Sequence, residues 1–151
     1  MPQLDLWKAV GLFGGLTDEQ LQRLVDISRE EHFRDEDVIV EQGTEGEKMY
    51  LICEGQVEIL IRRTPRETAR SEVYLGRGQV FGEMALLDLG KRSATVRCCQ
   101  DGTILYSVSR EDFNQLCSND TAIGYVVIRN LATDLSFKLR HRNLDLGSGD
   151  V

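Results

Sequence analysis

The chain has little of what builds a metal centre. It carries two histidines, His32 and His141, and four cysteines, Cys53, Cys98, Cys99 and Cys117, none of them in a C-x-x-C pair. A zinc ribbon needs paired cysteines, and two histidines so far apart rarely share an ion, so a zinc ribbon and a metal-dependent cupin are both excluded. The cysteines are expected to be reduced and mostly buried, as small hydrophobes. No apolar run approaches the ~18 residues that span a bilayer. The N-terminus, MPQLDLWKAVGLFGGL, lacks the charged-then-apolar order of a secretory signal, which sets the expectation of a cytoplasmic protein with no membrane partner. Basic charge is short as well. Lys and Arg number 18 against 25 Asp and Glu, a net charge of −7, and no basic face stands out before the last turns of the chain. A nucleic-acid partner is therefore not expected. What remains is an ordinary globular mixture in 151 residues, one domain's worth of chain.

Helices open and close the sequence. Thr17 with Gln20 has the spacing of a capping box ahead of Leu21, Leu24, Val25 and Ile27. Trp7, Leu12, Phe13 and Leu16 precede it in another short helix and a turn. From about His32 the pattern becomes that of strands. Met49–Cys53 reads as a strand and Glu54-Gly55 as a turn. Val57, Ile59 and Ile61 then alternate with Gln56, Glu58 and Leu60, as on a half-buried strand. Residues 64–71 form a polar hairpin loop containing Pro65. Short strands follow at Glu72–Leu75, Ala94–Cys98 and Thr103–Val108, and eight of the 14 glycines lie between Gly43 and Gly102. Short strands punctuated by glycine indicate a sandwich or jelly roll. Ser109 caps a helix over Arg110–Cys117, and a last helix over 121–142 carries Val127, Ile128, Leu131, Leu135 and Leu139 on one stripe.

The chemistry is concentrated in FGEMALLDLGKRSATV, Phe81 to Val96. A strand ends at Phe81, and Gly82 permits a tight turn with close backbone approach. Only a turn or two of helix fits between Glu83 and Gly90. A helix start of this kind presents unpaired N–H groups, which attract phosphate. Arg92 adds a guanidinium whose paired donors suit phosphate oxygens. Glu83 either caps the helix start or accepts hydrogen bonds from hydroxyls such as those of a ribose.

This segment resembles the phosphate-binding cassette of cyclic nucleotide-binding domains, the family of bacterial catabolite activators, kinase regulatory subunits and cyclic-nucleotide-gated channels. The glycines of GTEGEKMYLICEGQVEI (Gly43, Gly46, Gly55) and Gly78 of RGQVFGE agree with that family's framework. The resemblance implies an α+β fold: an eight-stranded antiparallel β-roll, or jelly roll, flanked by N- and C-terminal helices over residues 1–143, with 144–151 a flexible tail. It implies that Gly82 and Ala85 bring N–H groups to a cyclic phosphate. Glu83 takes the ribose 2′-hydroxyl, Arg92 pairs with the phosphate, and Ser93 offers a hydroxyl to phosphate or base. Val73 and Leu75 wall the sugar and base. Met84 and Ala94 complete the cassette set, although Met84 and Leu86 also suit packing. Lys91 stands where many members carry proline.

On the last helix, where relatives place an arginine near the base, an ungapped count from Phe113 lands on Asp134. A carboxylate there accepts from adenine's amino group, or from guanine's N1–H and amino group together, or is merely solvated. Phe137 and Lys138 are alternative lids. The expected ligand is thus cAMP or cGMP, with neither catalytic residues nor cofactor. A phosphodiesterase would need metal ligands or a general base beside the phosphate, and the cassette has neither. Only 34 residues follow Cys117, too few for a helix-turn-helix beyond the last helix. The expected output is a homodimer through the C-terminal helix or a separate protein. The competing reading is a protein-interaction domain that keeps the fold without ligand.

Overall fold

In the computed structural model, which describes residues 2–88 and 90–147, eight strands form two four-stranded antiparallel sheets. The strands are β1 (Arg29–Phe33), β2 (Val38–Val40), β3 (Lys48–Glu54), β4 (Gln56–Ile61), β5 (Arg70–Gly76), β6 (Val80–Phe81), β7 (Thr95–Cys98) and β8 (Thr103–Ser109). One sheet runs β1-β8-β3-β6 and the other β2-β7-β4-β5. Helices α1 (Pro2–Lys8) and α2 (Asp18–Ile27) precede the roll; α3 (Arg110–Asn119) and α4 (Thr121–Gly147) follow it. This is the α+β β-roll that the family resemblance implies, and the glycine-punctuated strands are those of a jelly roll. The last helix runs beyond the anticipated end at Arg142, so residues 144–147 of the expected tail are helical. Residues 148–151 lie outside the described residues.

β3 explains why the middle of the roll reads as an unbroken apolar run. Successive side chains of a strand point to opposite faces, and both faces of β3 are covered. Tyr50 and Ile52 join Val57, Phe81, Val96 and Leu105 between the sheets. Met49 and Leu51 instead join Trp7, Leu21, Leu24, Phe113, Ile123 and Val127 beneath the helices. The sheet β1-β8-β3-β6 is thus the middle layer. Tyr50 stacks on Phe81, ring centroids 5.0 Å apart, which fixes the strand leading into Gly82.

The caps follow the sequence. Thr17 and Gln20 exchange both bonds of a capping box (2.9 and 3.1 Å), and Ser109 accepts from Asp112 N at 3.1 Å. Three expectations are corrected. β1, at REEHF, was not anticipated; its polar side chains are at an edge, paired only with β8. On β4 the alternation fails, because Glu58 is buried along with Val57 and Leu60 while Ile59 and Ile61 are half-buried. The directly opposite residue on β7 is Arg97, whose guanidinium lies over the carboxylate with Nε 2.7 Å from Oε1, and it is this ion pair that covers Glu58. Of the cysteines, all free, only Cys98 is buried; Cys53, Cys99 and Cys117 are half-buried.

The tightest backbone approach is at the β3–β4 turn. Gly55 has φ +92°, and a Cβ there would lie 2.7 Å from Thr103 Cα at the start of β8. Gly55→Ala is expected to destabilise the domain by roughly 2 kcal/mol or more, combining left-handed strain with a backbone clash. A urea titration followed by circular dichroism would check this, and an unchanged midpoint would contradict it.

Candidate functional site: the cassette and the helix above it

Strand β6 ends at Phe81 and Gly82 turns the chain with φ +74°, a conformation that side chains resist. A single 3-10 turn, Glu83–Leu86, follows. Ala85 and Leu86 are its buried positions, whereas Met84 is 44% exposed, so of the two apolar residues suited to packing only Leu86 packs. Ala85 N–H, expected to face a phosphate, donates to Gly82 O at 3.1 Å within the turn. The N–H groups of Glu83 and Met84 have no acceptor inside so short a turn. The segment then returns to β7 by a path tied to the β2–β3 loop. Arg92 N donates to Thr44 O (2.7 Å), Gly43 N to Arg92 O (2.9 Å) and Gly46 N to Gly90 O (3.0 Å).

These ties fix the backbone of Arg92, and two glycines fix its side chain. A Cβ on Gly46 would lie 3.1 Å from Arg92 Cζ, and one on Gly82 would collide with Nη1. The guanidinium is half-buried in the notch between them. It donates from Nη2 to Lys48 O at 2.6 Å and, at the limit of hydrogen bonding, from Nη1 to Gly82 O at 3.4 Å. Among the described residues no carboxylate forms an ion pair with it. Burial pulls its pKa below the ordinary arginine value, against the opposing influence of Tyr50, Glu47 and Glu83. Tyr50 is pushed up to about 12, by burial first and by Glu31 second, with Arg92 acting the other way. A fixed cation with two neutral acceptors and no counter-ion is an arrangement that favours an arriving anion.

Two cavities meet at Glu83. One, about 450 Å³, is lined by Gly46, Gly82, Glu83, Met84, Ala85, Arg92 and Ser93 among others. The second, about 570 Å³, lies under α4 and is lined by Leu75, Glu83, Asn130, Asp134 and Lys138, with Leu12 and Val80. The structure therefore gathers Gly82, Glu83, Met84, Ala85, Arg92 and Ser93 at one cavity and joins Leu75 and Asp134 to Glu83 at the other. Val73, 44% exposed on β5, and half-buried Ala94 line neither.

Asp134 is not a lone carboxylate. It pairs with Lys138 one turn on, at 2.9 Å. That hydrogen bond, with the nearby charges of Asp134 and Glu83, raises the lysine's pKa despite partial burial. Lys138 thus bridges, electrostatically, the cassette acid and the helix acid. Two participants were not legible in the sequence. The carbonyl of Lys48 belongs to a backbone whose side chain says nothing of it. Arg110, at the first position of α3, donates from Nη1 to the carbonyls of Gly46, Ala85 and Asp88 at 2.9, 3.0 and 2.8 Å. The α4 stripe is buried at Val127 and Leu131, half-buried at Ile128 and Leu135, and exposed at Leu139.

Gly82→Ala is expected to cost about 1–2 kcal/mol from its φ alone, and its methyl group should drive the Arg92 side chain from the notch. Urea unfolding would check the first effect and the Arg92 Nε–H resonance the second. An unmoved resonance would contradict the collision.

Comparison with known proteins agrees with this geometry. A family model described as "Cyclic nucleotide-binding domain" matches residues 30–120. The Cyclic AMP receptor protein of Thermus thermophilus is 33% identical over 139 residues, covering 92% of this chain and 62% of that protein. A cGMP-dependent protein kinase of Drosophila melanogaster, isozyme 2 forms cD5/T2, is 34% identical over 116 residues, 76% of this chain; the chain spans only 12% of the kinase's length. Among solved structures, the Catabolite Activator Protein of Thermus thermophilus superposes with a TM-score of 0.78 at 32% identity, covering 91% of this chain and 62% of that one. The regulatory domain of Toxoplasma gondii PKA with cAMP gives 0.74 at 25% identity, covering 88% and 48%. With more than half its length matched, and the cassette geometry inside the matched region, the chain belongs to the cyclic nucleotide-binding domain family.

Proposed function

We propose that this chain is a sensor module that binds a cyclic purine nucleotide, cAMP or cGMP, and passes the event to its C-terminal helix. The observation that carries the reading is the half-buried Arg92 guanidinium, bonded to two carbonyls and, among the described residues, to no carboxylate. A cyclic phosphate supplies the missing negative charge. Glu83, shared by both cavities, accepts the ribose 2′-hydroxyl in this reading. The base then occupies the larger cavity between Leu75 and the Asp134–Lys138 pair. For Asp134 to accept from guanine's N1–H and amino group together, both carboxylate oxygens are engaged, one of them shared with Lys138. Adenine's amino group asks less of it, so the pair bears on base choice without deciding it. Gly82, Ala85 and Ser93 complete the phosphate seat, Met84 and Ala94 flank it, and Val73 joins Leu75 on the base wall. The reading covers one domain over residues 1–143, with a tail at 144–151 whose first residues continue α4. The module is cytoplasmic and without catalytic activity. It delivers its output to a second copy meeting α4 or to a separate protein. Among the described residues no helix is long and apolar enough to cross a membrane.

Calorimetric titration with cAMP, cGMP and linear 5′-AMP tests the proposal. Either cyclic nucleotide should bind at micromolar concentration or tighter, and the linear one much more weakly; equal binding of linear and cyclic forms would overturn it. Arg92→Ala should weaken binding by roughly 30-fold or more, since losing one partner of a buried charge pair costs about 2–5 kcal/mol. Glu83→Ala should cost less, and should cost the ribose form more than its 2′-deoxy analogue. An equal loss for both would remove Glu83 from the ribose.

The helix is tested by hydrogen exchange. A base seated against Asp134 and Lys138 should slow exchange over residues 128–140, along with the cassette. Protection confined to Gly82–Ser93 would make α4 a static prop, and truncation after Asn130 would then leave affinity intact.

A further inference from the structure

Arg110 has no part in the nucleotide contacts proposed above, yet it is bonded to the back of the cassette. One nitrogen, Nη1, lies within 3.0 Å of three carbonyl oxygens from three places: Gly46 on the β2–β3 loop, Ala85 inside the 3-10 turn and Asp88 at its exit. The backbone of the same residue is anchored too, Arg110 N donating to Glu47 O at 2.8 Å. A single four-residue turn cannot hold its own shape, because its final carbonyls have no partners within it. A cation at that end supplies the hydrogen bonds and complements the dipole of the turn. The same cation stands in the first turn of α3, the end where a positive charge opposes that helix's own dipole. Helix stability therefore does not explain an arginine at this position, whereas the three converging carbonyls do.

We infer that Arg110 is the positioning residue of the cassette: it holds the turn in binding shape and fastens it to α3. This rests on the cassette being the anion site but on no particular nucleotide. The bond to Gly46 O matters most for the site, because Gly46 also forms one wall of the Arg92 notch. Freeing that carbonyl loosens both the turn and the wall against which Arg92 is set. The other end of the linkage is firm. Phe113, Leu116 and Cys117 of α3 pack in one cluster with Ile123 and Val127 of α4, and a Cβ on Gly124 would lie 3.1 Å from Cys117 Sγ. A shift of the cassette thus reaches α4 through Arg110 and α3, a route separate from any contact between base and α4.

The test compares wild type, Arg110→Met and Arg110→Lys, first without nucleotide. Methionine keeps the stem and removes every donor. Lysine is shorter but brings three donors on one nitrogen, the number of carbonyls that converge here. In Arg110→Met, amide exchange over residues 83–88 is expected to rise roughly tenfold while β3 and β8 stay protected, because the lost bonds are local. Arg110→Lys should recover much of that protection. With cAMP and cGMP added, Arg110→Met should bind roughly tenfold more weakly with Arg92 intact, and Arg110→Lys should bind between the two. Unchanged exchange over 83–88 in Arg110→Met overturns the inference whatever happens to binding. So does a rise spread evenly over the domain in both variants, which would make Arg110 a general prop of the fold. A local rise in a protein whose wild type binds neither nucleotide supports the positioning role and overturns the nucleotide reading instead.

Discussion

The Arg92 guanidinium lies half-buried between the carbonyls of Lys48 and Gly82, and much of the surrounding architecture serves to keep it there. Removing a cation from water is costly unless hydrogen bonds and an opposite charge replace the solvent. Here the hydrogen bonds are supplied in part, and the charge stands only at a distance, on Glu47 and Glu83. A carboxylate in direct contact would make the pair self-sufficient and leave little attraction for an incoming anion. The domain contains such a pair elsewhere. Glu58 and Arg97 lie opposite one another on β4 and β7, and their side chains satisfy each other. The contrast separates a structural arginine from a poised one: both are held in place, and only one has its charge answered.

Holding a poised arginine takes more of the chain than the cassette. The notch has glycine on two sides because any Cβ there would meet the guanidinium. Gly46 belongs to a loop before β3 and Gly82 to the turn after β6, so the notch exists only while β3 and β6 are paired. That pairing is short, two registered residue pairs, and the Tyr50–Phe81 stack reinforces it from inside the roll. The middle sheet thus carries three loads. One face closes the β-roll, the other receives the helices, and its β6 edge delivers the cassette.

How much of this was legible depended on whether a feature is written in side chains or in backbone. The glycine punctuation, the two capping motifs and the cassette string were readable because each imposes a residue type. Gly82 must tolerate a positive φ, Thr17 must accept from Gln20 N, and Arg92 must fill the notch between Gly46 and Gly82. β1 was not readable, because REEHF at an edge has no reason to be apolar. Glu58 misled because burial by a cross-strand arginine leaves no mark on the alternation of its own strand. Arg110 was hidden for a different reason: its three partners are carbonyls, which every residue has. Nothing in R-E-D-F distinguishes a helix-start arginine in solvent from one clamped to a neighbouring turn.

The long final helix follows from the same logic of partial satisfaction. Ile123, Val127 and Leu131 are fully buried and fix its first three turns on the core, and Asn130 adds hydrogen bonds to Leu12 O and Gly14 O at 2.9 and 2.8 Å. Beyond Leu131, among the described side chains, Leu135 is half-buried while Phe137 and Leu139 are about 60% exposed. A helix anchored firmly over its first turns and more loosely after Leu131 has its conformational choice beyond that point, and that is where Asp134 and Lys138 overlook Glu83. A ligand shifts such a choice only by the difference in its affinity for the two arrangements. A phosphate seated as proposed cannot supply that difference directly, since the residues proposed to hold it lie on the roll. On that reading it would come from a base seated at Asp134 and Lys138, or from the cassette turn acting on α3 through Arg110. The first would make the response depend on which purine is bound, and the second would make it depend on the phosphate alone. On the proposed reading, base specificity and signal strength are therefore separable, resting on different side chains of successive helices.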